Sequence, residues 1–211
     1  MSGLIYKITT MQEEVEKYEM MRKSFPSIYK GSEKPGATVE ENIFEIHKSD
    51  AIFIRKIGDY EHTPFKINDN GNWIDLKASQ TVTLKKGERT KIPLGIAMKL
   101  PDGCEAHLAP RSSTCDKFKI MQTNSVGVID NSYSGNNDEW KMPVIAVEDT
   151  MIYAGDRIAQ FRLMPTMEAM FNNTSGAFPM ANFSTDRCLY IIFTDDLMSE
   201  DRGGFGSTGV N

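Results

Sequence analysis

Long hydrophobic runs are missing from this 211-residue sequence. No uncharged apolar stretch approaches the ~20 residues that span a bilayer, and the N-terminal "MSGLIYKITTM" lacks the apolar centre of a secretory signal. The expectation is a chain without membrane attachment. Runs of Lys or Arg are missing as well. With 24 basic residues against 29 acidic ones and a net charge of −5, the chain has no electrostatic footprint for nucleic acid, so a polyanionic ligand must be held by a few local groups. Cysteine is scarce: Cys104, Cys115 and Cys188 are odd in number and show no C-x-x-C spacing, which points to reduced thiols in a cytosolic compartment. His47, His62 and His107 are scattered without the spacing of a zinc site.

What is present fits one ordinary domain with appendages, since 40% of the residues are apolar. Residues 10 to 25 read as a short amphipathic helix: Thr10 and Glu13 are spaced as a capping box, and Met11, Val15, Tyr18 and Met21 recur at helical intervals up to Pro26. Residues 26 to 50 are rich in Gly, Ser, Pro and Glu and read as a surface connection. From residue 51 the texture changes to short β segments. In "KIPLGIAMKL", Ile92, Leu94, Ile96, Met98 and Leu100 alternate with smaller or charged residues, which predicts one strand with a single buried face, and Pro93 puts it at an edge or bulge. Similar segments continue through "VGVID", "MPVIAVED", "GDRIAQFRLM" and "CLYIIFTDD", so the expected class is an all-β sandwich or barrel. The tail "EDRGGFGSTGVN" matches G-x-G-x-x-G only by accident, because no helix can follow it.

Four polar clusters interrupt the β texture: "APRSSTCDK" (109–117), "NSVGVIDNSY" (124–133), "GDRIAQ" (155–160) and the tail. Taken singly, each is explained by turns, surface ion pairs or a terminal coil. Taken together, Arg111, two hydroxyls, Gln160 and a glycine-rich backbone are the groups that bind phosphate oxygens. Asp130 is out of place among them, because a carboxylate repels phosphate. It either caps a turn at the end of an apolar strand expected to be buried, or takes a proton from an attacking water. Tyr133 is either a core-edge aromatic or the floor of a sugar pocket.

The order and wording of these segments resemble the trimeric deoxyuridine triphosphatase (dUTPase) family over residues 72 to 209. "NWIDLKAS" is similar to the first family motif, with Asp75 at its aspartate but without the usual Ala-Gly before it. "PRSST" is similar to the second, with Ser113 where glycine is commoner. "NSVGVIDNSYSG" is similar to the third, and "GDRIAQ" and "GGFGSTG" match the fourth and fifth, with Arg202 two residues nearer to Phe205 than usual. The resemblance implies a distorted jelly-roll-like β-barrel or sandwich of the dUTPase-like β-clip type. It would comprise an N-terminal extension (1–50), a β domain (51–195) with an insertion at 165–187, and a glycine-rich C-terminal lid (196–211). It implies Mg²⁺-dependent hydrolysis of dUTP to dUMP and pyrophosphate, in active sites shared between the subunits of a homotrimer in the cytoplasm, or in a host cytoplasm for a viral source.

The same resemblance assigns roles by position. Asp130 would activate the water. Asn124 and the backbone of Gly127, Val128 and Ile129 would read the uracil edge, and Tyr133 would pack on the deoxyribose. Arg111, Ser112, Ser113 and Gln160 would bind phosphates, with Arg202 in doubtful reach. Phe205, Gly206, Ser207 and Thr208 would form the lid. Asp75 would serve Mg²⁺ through a water or be structural. Two alternatives remain. One is a dCTP deaminase of the same fold, for which Glu139 is the candidate acid. The other is a dUTP-sensing regulator whose N-terminal extension or 165–187 insertion engages a protein partner.

Overall fold

The turn residues that punctuate the sequence cut the chain into short strands, fourteen among the described residues. A computed structural model describes residues 5–24, 36–68, 71–172 and 188–204. In chain order the strands are β1 (Ile5–Thr10), β2 (Ala51–Lys56), β3 (Phe65–Ile67), β4 (Ile74–Lys77), β5 (Val82–Leu84), β6 (Arg89–Pro93), β7 (Ile96–Lys99), β8 (Cys104–Pro110), β9 (Ile120–Gln122), β10 (Gly127–Ile129), β11 (Lys141–Ala146), β12 (Thr150–Ile152), β13 (Arg157–Pro165) and β14 (Cys188–Phe193). Helices α1 (Met11–Ser24), α2 (Val39–Ile46), α3 (Thr114–Phe118) and α4 (Met167–Asn172) are minor by comparison. The strands form sheets ordered β1-β14-β2-β7, β10-β8-β13-β4-β3, β6-β11-β9 and β12-β5. The all-β sandwich expected from the sequence is the fold observed.

One apolar core lies between the sheets, where Ile52, Ile54, Leu76, Ile96, Met98, Leu108, Trp140 and Phe161 are fully or almost fully buried. Trp140 meets Phe161 edge to face, 5.3 Å between ring centres. A second core forms on the outer face of the first sheet, where α1 and α2 cover Ala51, Phe53, Ala97 and Ile192 with Met11, Tyr18, Ile43 and Phe44. That double burial explains the unbroken apolar run "AIFI": β2 is covered on both faces, so no polar alternation survives.

The N-terminal region differs from expectation. The helix over 11–24 is present with its capping box, the Glu13 carboxylate accepting from Thr10 N–H and the Thr10 hydroxyl from Glu13 N–H. Residues 26 to 50 are not simply a surface connection, because α2 lies within them, begun by a second capping box between Thr38 and Glu41. Nor was β1 anticipated: it runs parallel to β14, with Ile5 opposite Cys188 and Thr10 opposite Phe193. β1 thus joins the N-terminal region to the sheet that holds β14, the last strand among the described residues. In the 165–187 stretch, α4 occupies 167–172 and residues 173–187 lie outside the described residues.

"KIPLGIAMKL" is two strands rather than one. Gly95, with φ at +68°, turns the chain between β6 and β7, which pair in different sheets, and a side chain there would run into the Tyr60 ring and the Ser79 Cβ. All five alternating residues are nevertheless buried, and Pro93 is in an edge strand as expected. The "VGVI" strand is likewise not buried as predicted. β10 is the edge of the five-stranded sheet, and Val128 is 59% exposed.

Candidate functional site

Two groups of the predicted residues assemble, at opposite ends of β8. At one end, β8 leads through Pro110 into Arg111, Ser112 and Ser113 and then α3. Thr114, fully buried, fixes this corner: its hydroxyl donates to the Ile158 carbonyl and accepts from Arg111 N–H. Sequence reasoning passed over Thr114, although a hydroxyl three residues after an arginine at a strand end is a recognisable turn-closing signal. Ser112 and Ser113 are exposed, with their hydroxyls left free to face a ligand, and Ser113 makes no capping bond to α3. Gln160, on neighbouring β13, donates to the Pro110 carbonyl and stands opposite Asp75 on β4.

Asp75 itself is sealed, with only 1% of its surface exposed. Its Oδ2 receives Arg111 Nε at 3.1 Å and an Arg157 guanidinium nitrogen at 3.0 Å. The carboxylate therefore aligns two arginines side by side, which their mutual repulsion would otherwise forbid. Among the described residues, no three His, Cys, Asp or Glu side chains converge as a metal site.

At the other end, β10 runs antiparallel to β8, Gly127 facing Leu108 and Ile129 facing Ala106. Space is tight at Gly127, where an added Cβ would press on the Leu108 side chain at 3.2 Å. The chain then turns from Asp130 to Tyr133, closed by Tyr133 N–H on the Asp130 carbonyl. Asn131, also unanticipated, anchors the turn by donating to the carbonyls of Pro101 and Cys104. Asp130 is thereby held at the lip of a cleft of about 260 Å³ lined by Asn124, the β10 backbone, Tyr133, Trp140, Lys141, Arg202 and Gly204. The Tyr133 hydroxyl donates to the Glu139 carbonyl, and burial, with the nearby charges of Asp138, Glu139 and Asp201, pushes its pKa up to about 12. The ring is a fixed, neutral wall. Asn124 faces the same cleft and accepts from Gln122 through its side-chain oxygen.

Arg202 reaches across this cleft and pairs with the half-exposed Asp130 carboxylate. The shortened spacing noted in the sequence thus places Arg202 on Asp130, not on the Arg111 cluster. Glu139, the deaminase candidate, forms an ion pair with Lys141 and borders a different cleft of about 610 Å³ beside Tyr60, Ser79 and Lys91. Phe205, Gly206, Ser207 and Thr208 lie outside the described residues. In register, Asp130 falls beside Glu105, six residues before Arg111 on β8, or ~20 Å at strand rise. Within one chain, Asp130 and the Arg111–Ser113 corner do not meet.

A sequence model described as dUTPase matches residues 72–184. The chain is 46% identical over 157 residues to an SPbeta prophage-derived deoxyuridine 5'-triphosphate nucleotidohydrolase of Bacillus subtilis, covering 74% of this chain and 97% of that one. It is 34% identical over 140 residues to the deoxyuridine 5'-triphosphate nucleotidohydrolase of Leifsonia xyli, covering 64% and 77% respectively. Among solved structures it is similar to the dUTPase from Streptococcus mutans, with 27% identity and a TM-score of 0.49 over 54% of this chain and 95% of that one.

Proposed function

Because this chain belongs to the dUTPase family and is a dUTP nucleotidohydrolase, we propose that it cleaves dUTP between the α- and β-phosphates by water that Asp130 activates, in sites shared by the subunits of a homotrimer. The observation that carries this reading is the ~20 Å along β8 between Asp130 and Arg111. One chain cannot bring both to the same phosphorus, whereas a second copy supplies what the first lacks.

In this reading the β10 backbone and Asn124 bind the uracil edge, and the rigid Tyr133 ring packs on the deoxyribose where a 2′-hydroxyl would clash. Asp130 takes a proton from water as its oxygen bonds to the α-phosphorus. The bond from that phosphorus to the bridging oxygen breaks, and the electron pair leaves with pyrophosphate, giving dUMP. Asp130, held by the turn it begins and exposed to the cleft, has the position and solvent access of such a base. The triphosphate competes with Asp130 for the Arg202 guanidinium, so substrate binding frees the carboxylate for water. On the other chain, Arg111 and Arg157, aligned by Asp75, meet the phosphates with Ser112, Ser113 and Gln160.

Magnesium fits this scheme only as a passenger of the nucleotide. Asp75 is buried and taken by two guanidinium groups, so it offers the ion no direct ligand. Bound to the triphosphate, Mg²⁺ would neutralise phosphate charge. The three free thiols, Cys104, Cys115 and Cys188, favour a cytoplasmic enzyme, or one in a host's cytoplasm.

The test incubates the protein with dUTP, UTP or dCTP and Mg²⁺ while measuring pyrophosphate and ammonia separately. Pyrophosphate from dUTP alone is expected. Ammonia from dCTP would favour the deaminase reading, against which stands the Glu139–Lys141 pairing. Mixing Asp130→Asn chains with Arg111→Ala chains tests the shared site: recovery of dUTP turnover above either variant is expected, and no recovery would remove it.

A further inference from the structure

An amide side chain offers hydrogens from one atom and lone pairs from the other, so what Asn124 presents to the Asp130–Tyr133 cleft depends on which way its amide is turned. Gln122, the last residue of β9, decides it. The Gln122 Nε2 donates to the Leu108 main-chain carbonyl at 3.2 Å and to the Asn124 side-chain oxygen at 2.9 Å. Those two bonds use both hydrogens of that nitrogen. A main-chain carbonyl only accepts, so Gln122 cannot be reversed without setting two oxygens against each other. Asn124 cannot be reversed either, because its nitrogen would then meet the Gln122 nitrogen. Orientation thus passes from a main-chain group that has no second setting, through Gln122, to the cleft.

The strands around the two amides hold them in place. Gln122 stands opposite Val144 in the pairing of β9 with β11, and the next residue, Thr123, donates its N–H to the Pro143 carbonyl at 3.0 Å. Ser125, with φ at +56°, turns the chain immediately after Asn124, a left-handed conformation that is costly outside glycine and persists where neighbouring bonds fix it. Leu108 lies opposite Gly127 in the β10–β8 pair, so the carbonyl that anchors Gln122 belongs to the strand that supports the cleft's backbone edge. With its oxygen taken, Asn124 carries its nitrogen on the Gly127 side, 3.6 Å from where a Gly127 Cβ would stand. Asn124 is exposed, and among the described residues no acceptor takes the hydrogens of that nitrogen.

We propose that Gln122 is the positioning residue that holds Asn124 as a hydrogen-bond donor toward the nucleotide, so that the cleft takes a base with a carbonyl oxygen at this position and disfavours one with an amino group. The role in base selection rests on the dUTP-hydrolase reading, but the orientation of the two amides does not. Uracil carries a carbonyl oxygen on each side of its ring N–H, whereas cytosine has an amino group in place of one of them. An amino group opposite the Asn124 nitrogen would set two donors against each other with neither satisfied.

The test is a double-mutant cycle in the full chain: Gln122→Met, which keeps length and bulk without the amide, Asn124→Ala, and the two together. Calorimetry reads dUMP affinity, and steady-state assays read kcat and KM for dUTP. Gln122→Met is expected to weaken dUMP binding and raise KM by about tenfold, the effect of one hydrogen bond, while kcat and Tm stay near their wild-type values. In the Asn124→Ala background the same substitution is expected to add less than about twofold, because the amide that it orients is gone. An equal loss in both backgrounds, or none in either, would overturn the proposal and leave Gln122 a strand-end residue. Amide NMR spectra of labelled protein read the donor itself: the Asn124 side-chain signals, identified by their loss in Asn124→Ala, are expected to shift when dUMP binds. Signals that stay in place would overturn the donor role. Wild-type protein that binds dUMP without hydrolysing dUTP would remove the hydrolase reading, and the cycle in dUMP affinity would still decide Gln122. Protein that neither binds dUMP nor hydrolyses dUTP would remove both, whereas hydrolysis left unchanged by Gln122→Met would remove this inference alone.

Discussion

Asp75 and Asp130 show how burial divides two identical side chains between support and chemistry. The Asp75 side chain is 2% exposed and has its charge balanced by two arginines, whereas that of Asp130 is 51% exposed and meets a single guanidinium. Asp130→Asn should therefore lower dUTP turnover by ~10²-fold or more while KM stays within a few-fold, since the amide fills the same space but takes no proton. Turnover at the wild-type rate would reduce Asp130 to the turn cap that is its plainer reading. Asp75→Ala should cost about 1–3 kcal/mol in denaturant unfolding, less than a fully buried pair would, because Arg111 and Arg157 can turn partly to water. It should also raise KM for dUTP as the two guanidinium groups move apart; a stability loss with unchanged KM would confine Asp75 to folding.

At the level of elements, α2 stands on its capping box: the Thr38 hydroxyl accepts Glu41 N–H, and the Glu41 carboxylate accepts Thr38 N–H. Thr38→Ala should lower unfolding free energy by ~1 kcal/mol with dUTP turnover unchanged, checked by thermal melts beside the assay. That box was legible in the sequence as Thr-x-x-Glu, but the surrounding "GSEKPGATVEEN" has the texture of a loop, and local composition outweighed an eight-residue helix that tertiary contact with Phe53 sustains. β1 was hidden for a related reason. "IYKITT" gains its place from pairing with β14, 183 residues away, and leaves Ile5 and Ile8 exposed, so no alternation marks it. The site was easier to read, because Asp130, Tyr133, Arg111 and Gln160 are set by strand ends and turns a few residues long. The bonds that Asn136, Asn137 and Asp138 make to residues 196–203 escaped, because they join a loop to a segment distant in the chain, a relation no spacing encodes. Hydrogen bonds from Asn137 hold the Asp201 carboxyl below its ordinary value, as those from Asn136 do for Asp196. Depressed carboxyls stabilise fully above the ordinary value near 3.8 and lose that effect as pH falls through the lower one. Protection from hydrogen exchange of the Asn137 and Met198 amides, which donate to Asp201 and Asp196, should hold at pH 6 and fall as the pH is taken progressively below that ordinary value. Protection that does not change with pH would show that these carboxylates do not hold the segment.

For the molecule as a whole, the separated half-sites and the exposed Val128 edge predict an assembly of three times the 23.7 kDa chain in light scattering, and a fully active monomer at assay concentration would contradict it. The parallel run β1-β14-β2 adds a constraint of time. β14 lies between two strands made among the first 56 residues, so until residue 188 has been synthesised β1 has no strand partner and β2 has only β7. At ribosomal speeds of ~5–20 residues per second, the first strand waits roughly 10–40 s with its edge unpaired. Closing so long a span is also slow once the chain is complete. Chains arrested on the ribosome at residue 187 should be cut readily by protease within their first 56 residues, and chains carried past β14 should resist. The birth of this protein ends, in effect, where its first strand is finally claimed.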